Sequence, residues 1–265
     1  MTGTAPPERR RIAVCADDFG LTRGANAAIL ELGRLGALSA TSVAVDGSVL
    51  GEDIKALRSL RDRISVGLHL NLTENPRFPT LRGVKSWIVA TWMRRMDPGL
   101  IAREIDLQLD RFETLLEGPP THVDGHEHVH QFPGVREPLL EAIARRYGQS
   151  TVLRCTWPRE YRGVKAAVIG LLGSRALCHG IARFDLRCNS DFAGVYDLAS
   201  PSGFGSRMDA WLASLHDGGL IMCHPESMGG GANPARQHEY QFFRSTEWPV
   251  LLKNRNVELV RPDRS

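Results

Sequence analysis

Thr121-His122-Val123-Asp124-Gly125-His126-Glu127-His128-Val129-His130 packs four of the protein's nine histidines and two carboxylates into ten residues. If the stretch begins as a β-strand, alternation puts His122, Asp124 and His126 on one face. Imidazole and carboxylate on one face are the donors a divalent ion requires. A solvated polar loop or a few hydrogen-bonded core histidines would explain any one of these residues; four histidines in ten residues point to an active site. The same letters contain His126-Glu127-His128-Val129-His130, the H-E-x-x-H pattern of zinc proteases, which works only on a helix. Gly125 directly precedes it, Pro119-Pro120 stand upstream and Pro133-Gly134 close it. These breakers leave about three turns at most, filled by poor helix formers. Pro133 also occupies the place of the glycine in the extended form of the motif. A strand is therefore expected here, and a protease is the disfavoured alternative.

Outward from this stretch, β-branched apolar runs alternate with helical periodicity. Strands are expected at residues 11–16, 42–45, 64–72, 151–154, 219–223 and 257–260. Ala25, Ile29, Leu32 and Leu35 fall on one helical face, and Gly36 stops that helix. Further helices are expected at 49–60, 87–96, 100–116, 135–147, 164–177 and 208–215, and over part of 237–252. Residues 73–85, rich in Pro and Gly, read as a loop, as does the mobile-looking Gly229-Gly230-Gly231. Either loop is placed to close over a site, each following a strand with a candidate residue. Alternating strands and helices predict a parallel sheet with helical crossovers. No repeat or linker divides the chain, so one domain over residues 1–265 is expected, with its core at about 10–260.

Asp17-Asp18, His69, the His126 region and His224 all lie at or just past the C-terminal ends of expected strands. In a barrel those ends converge on one face; in an open doubly wound sheet they would meet in a crevice at a switch point. No G-x-G-x-x-G and no G-x-x-x-x-G-K-[ST] follows a strand, so nucleotide binding has no motif behind it. A barrel-like (β/α) fold is the expectation.

The chain carries 33 basic and 30 acidic residues, a net charge of +3, too balanced to suggest nucleic acid. Residues 1–8 lack the apolar core of a signal peptide. The longest apolar run, 164–178, contains Lys165 and Arg175 and reads as too short to span a bilayer. Five cysteines without C-x-x-C spacing fit a reduced compartment, hence a cytoplasmic location.

Paired carboxylates after a strand can divide their labour where the backbone turns between them, one binding a metal and the other facing water. Asp17-Asp18 could equally cap a helix, since Gly20 and Thr22 are nearby, and a His within an apolar strand, like His69, is often a core residue. Asp18, His69 and His126 together make an Asp-His-His set with coordination positions left for water and substrate. At this point the sequence resembles a known family. Ala16-Asp17-Asp18-Phe19-Gly20, Gly67-Leu68-His69-Leu70, residues 121–130 and Cys223-His224-Pro225 look like the signature blocks of the YdjC-like carbohydrate deacetylases, in the right order across about residues 10–260.

The resemblance implies a single-domain, distorted (β/α) barrel of the glycoside hydrolase/deacetylase type. It implies hydrolysis of an N-acetyl group from an amino sugar, with one divalent metal ion, magnesium or zinc. By position, Asp18, His69 and His126 would be the metal ligands, Asp17 the general base and His224 the general acid. Asp124, His128 and His130 are candidates for holding a ligand's tautomer or touching substrate. Glu127 departs from a His common in the family, and strand alternation would turn it away from the metal. Residues 155–215 match no motif and are expected to shape substrate choice. An N-acetylated sugar is the expected partner, and a homodimer is compatible with the sequence. Another metal hydrolase, of phosphoesters or peptides, and a silent sugar-binding protein are the alternatives; retention of Asp17 and His224 argues against silence.

Overall fold

The apolar run after Arg10 forms strand β1 (Arg10–Phe19), shielded from solvent beyond its first two residues. A computed structural model describes residues 8–81, 83–199, 203–227 and 233–264 of the chain. β1 pairs with β2 (Ala40–Val43), β8 (Gly219–Cys223) and β9 (Val257–Leu259). β3 (Ser65–Leu70), β4 (His122–Gly125), β5 (Val152–Leu153) and β6 (Arg187–Cys188) continue the sheet beyond β2, and β7 (Phe192–Ala193) lies beyond β8. The order is β6-β5-β4-β3-β2-β1-β8-β7, with every pairing parallel. Among the described residues β6 and β7 do not pair, so the expected barrel is a curled half-barrel. β5, β6 and β7 have two residues each, too few ladder bonds to close a ring.

Helices α1 (Arg23–Leu35), α2 (Asp53–Arg58), α3 (Gly83–Trp92), α4 (Pro98–Leu116) and α5 (Arg136–Arg146) cross over between the strands. α6 (Val164–Ile169), α7 (Arg175–Arg183), α8 (Phe204–Ser214), α9 (Pro234–Arg244) and α10 (Glu247–Asn254) follow. The start of α1 is capped by Thr22, whose hydroxyl accepts the amide of Ala25 at 3.0 Å. Its end is closed by Gly36 at φ 70°, a left-handed position that suits glycine. Its buried stripe is Ala25, Ala28, Ile29 and Leu32, whereas Leu35, expected among them, is exposed. On α4 the stripe Ile101, Ile105, Leu109 and Phe112 packs into the main core.

Several expectations shift. The helix expected at 49–60 contracts to α2, and α3 starts inside the segment expected to be a loop. The 164–177 helix breaks at Gly173 (φ 123°), where a Cβ would fall 2.2 Å from the carbonyl oxygen of Gln131, and resumes as α7. The combined helical run, Val164–Arg183, reaches 20 residues and is long and apolar enough, by length and composition alone, to cross a membrane. The shorter run read from sequence missed this because it stopped at Cys178. Cys155 and Cys178, expected reduced, are joined in a disulfide; folding brings α7 onto the loop after β5, which spacing alone cannot reveal. The loop Gly229-Gly230-Gly231 lies outside the described residues.

Candidate metal centre and active site

Between Ala16 and Phe19 the register of β1 against β2 slips, and Asp18 takes a φ of 70°. A bulge of this kind re-aims side chains, so two consecutive carboxylates meet different neighbours. Asp17 accepts two hydrogen bonds from the Arg154 guanidinium, each 2.6 Å. Asp18 turns the other way. Its Oδ1 lies 3.3 Å from His69 Nε2 and 3.1 Å from His126 Nδ1, and its Oδ2 lies 2.8 Å from Arg236.

His69 comes from β3. Its Nδ1 lies 2.5 Å from Asp124 Oδ1 on the neighbouring strand and 3.1 Å from Ser42 Oγ. That side of the ring is therefore occupied, and Nε2 faces Asp18 and His126, 3.3 Å from His126 Nδ1. Three donors at about 2.1 Å from one ion, at octahedral or tetrahedral angles, stand roughly 3.0–3.4 Å apart. The Asp18–His69–His126 set has that spacing and fits a single divalent ion. Electrostatics agree. Burial works against a charge on His69, but Asp124 and Asp18 outweigh it and raise its pKa to about 10. Burial likewise opposes charge on His126, and Asp18 and Glu74 raise it to about 9. The carboxylates thus favour positive charge at this point, which a proton or a metal ion can supply.

β4 ends at Gly125, and His126 opens a tight 3-10 turn to Gln131 in which Glu127 and His128 have φ of 51° and 59°. Strand alternation therefore does not govern Glu127, which is exposed and lines the cavity with His126 rather than turning away. Nor is there an H-E-x-x-H helix. His130 is buried and bonds through Nε2 to the carbonyl of Arg154 at 3.1 Å, far in role from His126. His122 shares its face with Asp124 as expected, but its Nε2 meets Cys15 Sγ at 3.5 Å in the interior.

Arg154 sits wholly buried just past β5. Besides gripping Asp17, it places Nη2 2.5 Å from Asp124 Oδ2, so one guanidinium fixes the carboxylate beside the triad and the carboxylate that orients His69. His224 follows β8. Its amide donates to Glu239 Oε2, and the Tyr196 hydroxyl donates to Oε1 at 2.5 Å. Burial raises the Glu239 pKa to about 7. Burial lowers that of His224, with Asp18 and Asp17 opposing. His224 and His128 each keep a buried Nδ1 without a hydrogen-bond partner among the described residues. Asp17, Asp18, His69, His126, His128 and His224 all open onto one cavity of about 660 Å³, while Asp124 and His130 lie behind it. Glu74, from the segment expected to be a loop, reaches the same cavity with Oε1 3.7 Å from His126 Nε2.

These features define a parallel α/β half-barrel built around a mononuclear metal-type donor set at the carboxyl ends of its strands. The profile of the YdjC-like proteins matches residues 11–254, and the chain belongs to that family. It is 32% identical over 247 residues to a chitooligosaccharide deacetylase of Enterobacter sp. (strain 638), covering 91% of this chain and 90% of that one. It is 31% identical over 247 residues to a carbohydrate deacetylase of Homo sapiens, covering 82% and 75%. A crystal structure from Enterococcus faecalis V583, provisionally described as a cellobiose-phosphate cleavage protein, shares the fold with a TM-score of 0.70 at 21% identity, covering 97% of this chain and 99% of that one.

Proposed function

We propose that this protein, as one YdjC-like domain, is a metal-dependent carbohydrate deacetylase that hydrolyses the N-acetyl group of an amino sugar. The observation that carries this reading is the convergence of Asp18, His69 and His126 in one cavity with Asp17 and His224. It is supported by relatives named for deacetylation of chitooligosaccharides and carbohydrates. A divalent ion held by the three side chains, magnesium or zinc, would supply Lewis acidity for the acetyl carbonyl and a water of lowered pKa.

The chain's own groups carry the protons. Asp17, held in place by the two hydrogen bonds from Arg154, accepts the proton of the attacking water. His224 gives a proton to the amine nitrogen as the C–N bond breaks. Burial lowers the His224 pKa, so the imidazolium formed by taking up a solvent proton is a strong acid toward the departing amine. The proton that Asp17 takes from water returns to solvent with the products. Asp124 fixes the tautomer of His69 by holding Nδ1. Arg236 pairs with Asp18 Oδ2 and leaves Oδ1 to the donor set.

The accompanying proposal is a cytoplasmic location, supported by the low cysteine count; the Cys155–Cys178 bond is the feature that points to an oxidising compartment. The metal assignment is tested by elemental analysis of purified variants. Asp18→Ala, His69→Ala and His126→Ala should each lose bound metal, whereas Glu127→Gln should keep it and lose little activity. Full occupancy in all three alanine variants would rule the ligand set out.

A further inference from the structure

His69 and His126 offer opposite ring nitrogens to the donor set, Nε2 from His69 and Nδ1 from His126. A histidine that binds a metal through one nitrogen gives the N–H of the other to an outer acceptor, which fixes its tautomer and ring plane. For His69 that acceptor is Asp124, buried behind the ring. The remaining nitrogen of His126, Nε2, points the other way, and the carboxylate facing it is that of Glu74, at 3.7 Å. The stretch on which Glu74 stands is fastened to α4. That helix buries Ile101, Ile105, Leu109 and Phe112, yet Glu104 and Gln108, one turn apart, are buried among them. A buried carboxylate is tolerated only when its oxygens are occupied. Glu104 Oε1 accepts from Asn75 Nδ2 at 2.7 Å and from Gln108 Nε2 at 2.9 Å, and Oε2 accepts from Arg77 at 2.8 Å. Gln108 clamps Asn71, accepting its amide at 3.0 Å and donating to its carbonyl at 2.7 Å. Asn71 Oδ1 in turn accepts the amide of Glu74 at 3.2 Å. A surface connection that only joined β3 to α3 would not need two buried polar side chains to hold it.

We infer that Glu74 is the positioning residue of His126: it takes the Nε2–H hydrogen bond and so commits Nδ1 to the ion, with Glu104 and Gln108 holding its segment within reach. The inference rests on the reading of Asp18, His69 and His126 as ligands and adds the group that orients the third of them. A hydrogen bond needs about 2.7–3.2 Å, and a small rotation of the Glu74 side chain, which is 59% exposed, closes the gap.

The test is titration of the purified, metal-free protein with cobalt(II), read from the visible absorption of the bound ion. Glu74→Ala should raise the cobalt Kd about 10- to 100-fold and change the absorption, with the melting temperature of the metal-free protein unshifted. Glu74→Gln, whose amide oxygen still accepts the Nε2–H bond, should recover most of the affinity. Gln108→Ala should weaken binding less, and Glu74→Ala/Gln108→Ala no more than Glu74→Ala alone, since Gln108 acts through Glu74; additive losses would overturn the role given to α4. Wild-type cobalt affinity in Glu74→Ala would overturn the inference, and a raised KM beside it would place Glu74 on the substrate instead. Equal losses in the Gln and Ala variants would show that only its charge counts, and would overturn the positioning role too. His126→Ala separates this inference from the ligand assignment. Loss of cobalt there, with Glu74→Ala unaffected, strikes the inference alone; full cobalt affinity in His126→Ala removes the ligand set and the inference with it.

Discussion

Asp17 and Asp18 differ in environment because one residue, Asp18, sits at φ 70°. The turn sends Asp17 to Arg154 and Asp18 to the two histidines, and it supports the proposed division between base and ligand. Replacing Asp17 by Asn should abolish hydrolysis with metal content preserved. Replacing His224 by Ala should slow turnover by about 10²- to 10⁴-fold on an unactivated amide. An amide whose departing amine is a weak base needs little help from an acid, so it should rescue the His224 variant and not the Asp17 variant. Equal losses for His224→Ala on activated and unactivated substrates would refute the acid role. Residue types at strand ends were enough to single out Asp17, Asp18, His69, His126 and His224. Arg154 escaped because an arginine closing the run Val152-Leu153-Arg154 looks like a strand end meeting solvent. Its full burial was the signal, and burial of a charge is visible only once its carboxylate partners are in place. Glu239 and Tyr196 had no local signal at all; the contacts that join them to His224 span the second half of the chain.

At the scale of elements, the site depends on how closely β3 and β4 lie, since they bring His69 to Asp124. Gly67 permits that approach. A Cβ there would fall 2.4 Å from the backbone oxygen of His122 and 2.5 Å from its ring. Gly67→Ala should therefore destabilise the fold by about 1–3 kcal/mol and weaken metal retention, because the strands must part. Chemical denaturation with an unshifted midpoint, together with wild-type metal content, would show that the strands do not need the glycine. The central strands and most helices were legible from apolar periodicity. What was not legible follows from tertiary override. The strand through the histidines stops at Gly125 because a 3-10 turn aims His126 at Asp18, so alternation gave the wrong direction for Glu127. The 164–183 helix is kinked at Gly173 by the approach of Gln131, a contact that sequence spacing does not contain.

The whole molecule is a half-barrel whose strands deliver the candidate residues Asp17, His69, His126 and His224 to one cavity. The expected distorted barrel takes the form of a curled half-barrel, because the strands on either side of the gap are too short to pair around it. Val84 and Ile88 of α3, with Val168 and Ile169 of α6 and Leu172 just after it, supply apolar wall to the cavity. The central claim is that this cavity hydrolyses an N-acetyl group with the help of a bound ion. Its most direct measurement is acetate released by the purified, magnesium- or zinc-loaded protein from N,N'-diacetylchitobiose and other N-acetylated saccharides. Release should stop when the ion is chelated, return when it is restored, and be absent in Asp17→Asn. Release undiminished by chelation, or none from any N-acetylated saccharide by fully loaded protein, would contradict the account.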